Sequence, residues 1–253
     1  LDSIIVEKSL ILCLCNNSIE SLKGYFSFIR NGVVPLMIDE SLNKELLLKL
    51  VKKYSPEYAW LPKHRIIEFS YINILFYFKE YALIKLNHSK KYELHNDLAL
   101  LLSTSGSTGS PKLVRITLKN LESNANSIVE YLNLTQEERP ITTLPMNYSF
   151  GLSIINSHLI VGATILLTSK SIMERDFWPF LQEFKASSIS GVPYTFEILK
   201  KLRFFNSNKD FIKTITQAGG KLNNELNKEI SQYCHKFNKN FFVMYGQTEA
   251  TAR

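Results

Sequence analysis

The chemistry-bearing residues of this chain are concentrated first in residues 98–112. An apolar run, residues 98–102, leads into Ser103 and then Thr104, Ser105, Gly106, Ser107, Thr108, Gly109, Ser110, Pro111 and Lys112. The run has the length and composition of a buried strand and is too short for a helix. The segment after it carries hydroxyls, glycines and one closing cation. Backbone N–H groups, Ser/Thr hydroxyls and an ammonium arranged in such a loop can surround a phosphate. A flexible Gly/Ser linker shares this composition. A buried strand leading in and a Pro-Lys closing the loop favour the ligand reading.

The loop does not fit the Walker A spacing, which needs four residues between its first glycine and Gly-Lys-Ser/Thr. Gly109 is followed by Ser110, Pro111 and Lys112, and Leu113 stands where a magnesium-binding hydroxyl would be required. A kinase or GTPase reading is therefore weak. His64, His88, His95, His158 and His235 are scattered, and none pairs with a nucleophile motif. There is no Gly-x-Ser-x-Gly elbow and no zinc-ligand spacing.

The elements that would hold the loop follow from periodicity. Residues 9–15 read as a strand. Ile19, Leu22, Phe26 and Ile29 fall at helical spacing after the Asn16-Asn17-Ser18 cap, and Asn31-Gly32 ends that helix. Residues 33–38 form a second strand, Ser41 caps a helix running to Lys53, and residues 58–61 form a third strand. Residues 65–86 are aromatic and β-branched and read as two strands. The polar stretch 87–97 sets a division into residues 1–95 and 96–253. Thr117 caps a helix to about Asn133, and strands are expected at 141–144, 163–168, 187–190, 212–216 and 240–244, with helices near 150–160, 177–184, 194–202 and 224–237. The alternation argues for an α/β fold of parallel-rich sheets with helices packed on both faces.

In open α/β sheets, ligands bind beyond the carboxyl ends of strands. Five expected strand ends are polar or Gly-rich. They are the loop after residue 102; Pro145, Met146, Asn147, Tyr148, Ser149, Phe150 and Gly151; Gly191, Val192 and Pro193; Gln217, Ala218, Gly219 and Gly220; and Tyr245, Gly246, Gln247, Thr248 and Glu249. Loops in α/β proteins are commonly Gly-rich and polar, so one alone is weak; five side by side point to a shared cleft.

Composition bounds the remaining classes. The 253 residues are 45% hydrophobic and 12% aromatic, enough for a sizeable core in one large or two smaller domains. The net charge of +7 is spread along the chain, which suits an anionic ligand or a solvated surface equally. No aromatic–basic interleaving argues for nucleic acid. Cys13 and Cys15 alternate within the first strand, Cys234 is distant, and the odd count fits a reduced compartment, so the cytoplasm is expected. No apolar run approaches the ~18 residues of a membrane span, and Asp2, Glu7 and Lys8 do not suit a signal peptide. The chain begins at Leu1 and stops at Arg253, just past a motif, and both ends read as cut.

Taken together, residues 104–112, Gly219-Gly220-Lys221-Leu222 and Tyr245-Gly246-Gln247-Thr248-Glu249 resemble the signatures of the adenylate-forming (AMP-binding) ligases: acyl-CoA synthetases, adenylation domains and luciferases. Order and spacing agree along almost the whole chain, with residues 144–151 and 242–253 closest to bacterial AMP-dependent ligases of surface-polysaccharide gene clusters.

The resemblance implies ATP/AMP and Mg²⁺ as ligands. Thr104, Ser105, Ser107, Thr108 and Lys112, with Gly106 and Gly109 in the same loop, would hold the leaving β- and γ-phosphates. Thr248 would reach the α-phosphate, Glu249 would bind Mg²⁺, and Tyr245 would stack on adenine, with Gly219, Gly220, Lys221, Gly246 and Gln247 around the nucleotide. Thr248, Glu249 and Lys112 are the implied catalytic residues. Asn147, Tyr148, Ser149, Phe150, Gly191, Val192, Pro193 and Gln217 would line the pocket for a small carboxylic acid.

The acyl group would pass to CoA, a carrier-protein thiol carrying phosphopantetheine, or another acceptor. A non-catalytic nucleotide-binding domain derived from the same fold is the alternative. Tyr148 stands where many relatives have histidine, and Leu113 where glycine usually follows Pro-Lys. Between Arg139 and Asp176 the sole acid is Glu174, so a substrate without a free α-amine is expected. Relatives continue into a ribose-binding aspartate, a hinge and a small C-terminal domain with a catalytic lysine. The resemblance thus implies a large N-terminal domain without its C-terminal partner, binding ATP weakly and turning over poorly on its own.

Overall fold

A computed structural model describes residues 5, 8–87, 93–104 and 112–251. By internal contacts the chain divides into two compact units, Leu1–Leu121 and Glu122–Arg253.

The first unit is built on a seven-stranded sheet of order β4-β5-β3-β1-β2-β6-β7. Its centre is parallel: β1 (Leu10–Cys15) lies between β2 (Val34–Asp39) and β3 (Tyr58–Pro62). Every residue of β1 is buried, which is why the strand reads as a continuous apolar run rather than an alternating one. α1 (Ile19–Arg30) and α2 (Lys44–Tyr54) are the crossovers. Strand parity separates them. Leu10, Leu12 and Leu14 share a core with Leu47, Leu50 and Val51 of α2. Cys13 pairs in register with Trp60, whose ring meets Phe28 of α1 edge-on at 6.3 Å. The two helices therefore cover opposite faces, as expected for this fold class, and Cys13 and Cys15 share one face. Gly24 marks the closest approach of α1, since a Cβ there would lie 2.6 Å from Trp60 Cδ1.

Three local expectations differ. The cap of α2 is Asn43, whose side chain accepts from Leu46 N–H at 2.9 Å; Ser41 is spent on Asp39 Oδ1. Residues 63–68 form a 3₁₀ segment (Lys63–Glu68), in which Arg65 pairs with Glu68 and donates to the Glu40 and Leu42 carbonyls, so strand structure begins later, at β4 (Ile72–Phe78) and β5 (Tyr81–Leu86). The division by contacts also falls later than residue 95. β6 (Leu98–Ser103) pairs parallel with β2 and antiparallel with β7 (Leu113–Thr117), which ties this hairpin to the first sheet. Leu113 is accounted for here: it pairs with Ser103 and packs on the core.

Thr117 caps α3 (Leu118–Leu132) reciprocally. Asn120 N–H donates to Thr117 Oγ1 and Thr117 N–H to Asn120 Oδ1, both at 3.1 Å.

The second unit holds a parallel sheet of order β10-β9-β8, made of β8 (Ser188–Gly191), β9 (Thr214–Gln217) and β10 (Asn240–Val243). Its other helices are α4 (Ser149–Ile160), α5 (Phe177–Glu183), α6 (Pro193–Lys201) and α7 (Asn224–Lys236). α4 buries residues around its whole circumference, as a central helix does. The strands expected at 141–144 and 163–168 are reduced to single parallel bridges, Pro140↔Ser188 and Ile141↔Leu166. The cause is local. Pro140 has no N–H to extend a ladder, and the Thr142 hydroxyl accepts from Thr168 N–H at 2.9 Å, taking the place of the next backbone pair.

Candidate functional site

The three parallel strands of the second unit end on one edge, and the residues beyond those ends converge. Gly191 and Val243 both stand opposite Gln217. Ala218 N–H then donates to Gly191 O at 3.2 Å, and Met244 N–H to Gln217 O at 2.8 Å, which carries the alignment past the strands. Gly219 has φ +80°, in the left-handed region. A Cβ there would lie 2.7 Å from Tyr148 Oη and 3.0 Å from Val192 Cγ1. One at Gly220 would lie 3.2 Å from Pro193 Cγ, and one at Gly191 would lie 2.7 Å from Thr195 Cβ. Close packing thus favours glycine at Gly191 and Gly219, with Gly220 tight against Pro193, and left-handed backbone favours it additionally at Gly219.

The segment before α4 is folded into the same place. Tyr148 N–H donates to Pro145 O at 3.0 Å, and Leu152 N–H to Tyr148 O at 2.9 Å. Leu144, Phe150, Ile154 and Ala218 form a small core, with Tyr148, Val192 and Met244 packed on it. Met244 was not anticipated in this cluster; its signal is its place as the residue between an apolar strand and Tyr245. Burial pushes the Tyr148 phenol above its usual range, so it stays neutral and can donate or accept. Asn147 is half-buried, and its Oδ1 is enclosed with no hydrogen-bond partner among the described residues.

Ser149 and Thr248, ninety-nine residues apart, are both buried, with their hydroxyls 3.3 Å apart. Thr248 opens a single 3₁₀ turn, Thr248–Ala250, that leaves Gln247 and Glu249 exposed and Gly246 half-buried. Tyr245 is 84% exposed, and Gly219, Gly220 and Lys221 are exposed as well. An exposed aromatic ring and bare glycine backbone, rising from adjacent strand ends, provide flat surfaces for a planar heteroaromatic. Among the described residues no cluster of three or more acid, histidine or cysteine side chains could form an all-protein metal cage. A single exposed carboxylate at Glu249 fits Mg²⁺, which is commonly held by one or two carboxylates plus substrate phosphates.

In the first unit, Thr104 and Lys112 stand at the two ends of the β6–β7 hairpin. Thr104 N–H donates to Lys112 O at 3.0 Å, one pair beyond Ser103↔Leu113, and the Lys112 side chain is exposed. Ser105, Gly106, Ser107, Thr108 and Gly109 lie outside the described residues. No described helix is long and apolar enough to cross a membrane.

A family model described as AMP-binding enzyme matches residues 5–253. The chain is 29% identical over 160 residues to a luciferin 4-monooxygenase of Nipponoluciola cruciata, an alignment covering 61% of this chain and 28% of that protein. It is 28% identical over 155 residues to a 2-succinylbenzoate–CoA ligase of Listeria innocua, covering 61% of this chain and 32% of that one. Among solved structures, o-succinylbenzoate CoA synthetase of Bacillus subtilis in complex with its acyl-adenylate intermediate superposes with a TM-score of 0.78 at 21% identity, covering 98% of this chain and 51% of that chain. This chain spans about half the length of that synthetase and under a third of the two relatives aligned by sequence. The fold matches the N-terminal domain of adenylate-forming enzymes.

Proposed function

We propose, from the premise that this chain belongs to the AMP-binding enzyme family, that it activates a carboxylic acid with ATP. A carboxylate oxygen attacks the α-phosphorus, the α–β phosphoanhydride bond breaks, and pyrophosphate leaves with the electron pair, giving an acyl-adenylate. The observation that carries this reading is the convergence of Gly219, Gly220 and the Tyr148–Val192 wall at the carboxyl edge of one parallel sheet, from which Tyr245 also rises.

In this reading Tyr245 stacks on adenine and the Gly219-Gly220-Lys221 backbone lies along it, with Gly246 and Gln247 completing the nucleotide side. Thr248, steadied by Ser149, donates to the α-phosphate. Thr104, Lys112 and the loop between them, including Ser105, Gly106, Ser107, Thr108 and Gly109, hold the departing phosphates. Glu249 would hold Mg²⁺, whose chemistry is to neutralise phosphate charge as pyrophosphate departs. Asn147, Tyr148, Phe150, Gly191, Val192 and Pro193 face the acid. The acyl group then passes to CoA, a carrier-protein thiol or another acceptor, with a further C-terminal domain completing that step. Three buried free thiols support a cytoplasmic setting.

The acid lacks a free α-amine in this reading. Glu174, the one carboxylate between Arg139 and Asp176, accepts from Ser171 N–H at 2.7 Å and lies 3.5 Å from Lys170 Nζ. Its carboxylate is thus engaged at the surface by a backbone N–H and by Lys170.

ATP–pyrophosphate exchange by a longer form of the protein, run against paired amino acids and their deaminated analogues, tests both statements. Exchange dependent on an acid, with the deaminated member preferred, is the expected result. ATP binding without exchange for any acid overturns the catalytic reading, and preference for the amino acid overturns the substrate class.

A further inference from the structure

We infer that Gln217 is a positioning residue that braces the Gly219–Gly220 turn from beneath, rather than a side chain that lines the acid pocket. Its sequence position, at a strand end beside the expected pocket, suggests contact with substrate. The geometry directs it elsewhere. Gln217 ends β9 and is 0% exposed. Its Nε2 donates to Gly220 O at 2.9 Å and to Ala218 O at 3.2 Å, so both amide hydrogens are committed to the turn. Its Oε1 is enclosed and has no hydrogen-bond partner among the described residues. Turning the amide over would set that oxygen against two carbonyl oxygens, so hydrogen bonding fixes its orientation. No atom of the side chain is offered to a ligand.

The brace acts on the residues where backbone conformation matters most. Gly219 is held at φ +80° between Tyr148 Oη and Val192 Cγ1. Gln217 holds the Gly220 carbonyl, and the glycine residues themselves are exposed. Removing the two donors frees the turn without changing any surface that touches a ligand. The inference rests on the reading above, in which this turn lies against the nucleotide.

Two substitutions separate the brace from simple core packing. Gln217→Met keeps the volume and removes both donors. Gln217→Glu puts an oxygen against the two carbonyls when ionised, yet regains one O–H donor when protonated, and burial in this site raises its pKa. Two measurements are made on the 253-residue chain: amide hydrogen exchange of the peptide spanning residues 217–222, and equilibrium binding of ATP and of AMP.

With Met, exchange at the turn accelerates by about tenfold or more while peptides from β8, α6 and α7 are unchanged, and nucleotide affinity falls by a similar factor. With Glu, both defects shrink as pH is lowered from 8 to 5.5, whereas those of the Met variant do not. Acceleration spread evenly over the second unit, or Glu defects insensitive to pH, would show ordinary core packing and overturn the brace. An unsubstituted chain that binds ATP, with both variants within twofold of it, overturns the inference alone. An unsubstituted chain that binds neither ATP nor AMP overturns the nucleotide reading, and the exchange measurement alone then decides the brace.

Discussion

At the scale of single residues, the contact between Tyr148 and Gly219 decides the shape of the candidate site. Burial keeps the phenol neutral, so it contributes a hydroxyl and not a titrating base. Its ring is set against a glycine that has two separate reasons to be glycine, positive φ and lack of space. Gly162 provides the control, because its φ is +74° but a Cβ there would meet nothing within 4 Å. Gly162→Ala is expected to cost about 1 kcal/mol, the left-handed backbone penalty alone. Gly219→Ala carries the same penalty plus displacement of Tyr148 and Val192, for a total of roughly 2–4 kcal/mol. Urea unfolding of the two variants measures the difference, and nucleotide titration shows whether displacing Tyr148 also closes the site. Equal costs would mean that the Tyr148 side chain simply swings away.

At the scale of elements, caps and strand ends show what local sequence determines and what it leaves open. Asn43→Ala should destabilise the first unit by about 1 kcal/mol through loss of the α2 cap, while Ser41→Ala, two residues away, should fall within about 0.5 kcal/mol of the parent. Chemical denaturation of both variants distinguishes them, and a reversed order would restore Ser41 as the cap. Both residues are good cap formers, and local spacing alone does not choose between them. The choice follows from Asp39, which ends β2 and captures Ser41. Elements marked by their own local sequence, β1 and α4 by continuous apolar runs and α1 and α7 by helical spacing, are legible to within a residue or two. Those whose existence depends on a distant partner are not. The bridges at Ile141 and Leu166 stop short of strands because one threonine hydroxyl intervenes, and the 3₁₀ segment at 63–68 depends on carbonyls from another loop. The same holds at the site. Glycines, Tyr245 and the Thr248-Glu249 pair are readable as a pattern, whereas the inward turn of Gln217 and the pairing of Ser149 with Thr248 across ninety-nine residues exist only in three dimensions.

At the scale of the whole molecule, burial of neutral acids makes both units less stable as pH rises into the alkaline range. Burial pushes the thiols of Cys13 and Cys15 and the Tyr81 phenol far up in the first unit. In the second unit it raises Cys234 to about 11 and Tyr233 to about 12. Each group is uncharged when protonated, and unfolded thiols and phenols ionise near ~8.5 and ~10. Above those values the unfolded chain releases protons that the folded chain keeps, so the native state binds more protons and stability falls as pH rises. Below about pH 8 none of these groups contributes a slope. The chain has two tryptophans, and they report separately, Trp60 from the first unit and Trp178 from the second. Single-tryptophan variants, Trp60→Phe and Trp178→Phe, unfolded in urea under reducing conditions at pH 7, 8.5 and 9.5, should therefore each show a midpoint that is flat at first and then declines. Adding Cys234→Ala to the Trp60→Phe variant should remove most of the decline reported by Trp178, because the thiol supplies most of the proton release in this range and phenol ionisation enters only near its upper end. Adding Cys234→Ala to the Trp178→Phe variant should leave the Trp60 decline in place, since Cys13 and Cys15 remain. A midpoint independent of pH up to 9.5 in both variants would mean that these thiols ionise in the folded chain as readily as in the unfolded one, and that the apolar sheet centre around Cys13 and Cys15 admits charge and water.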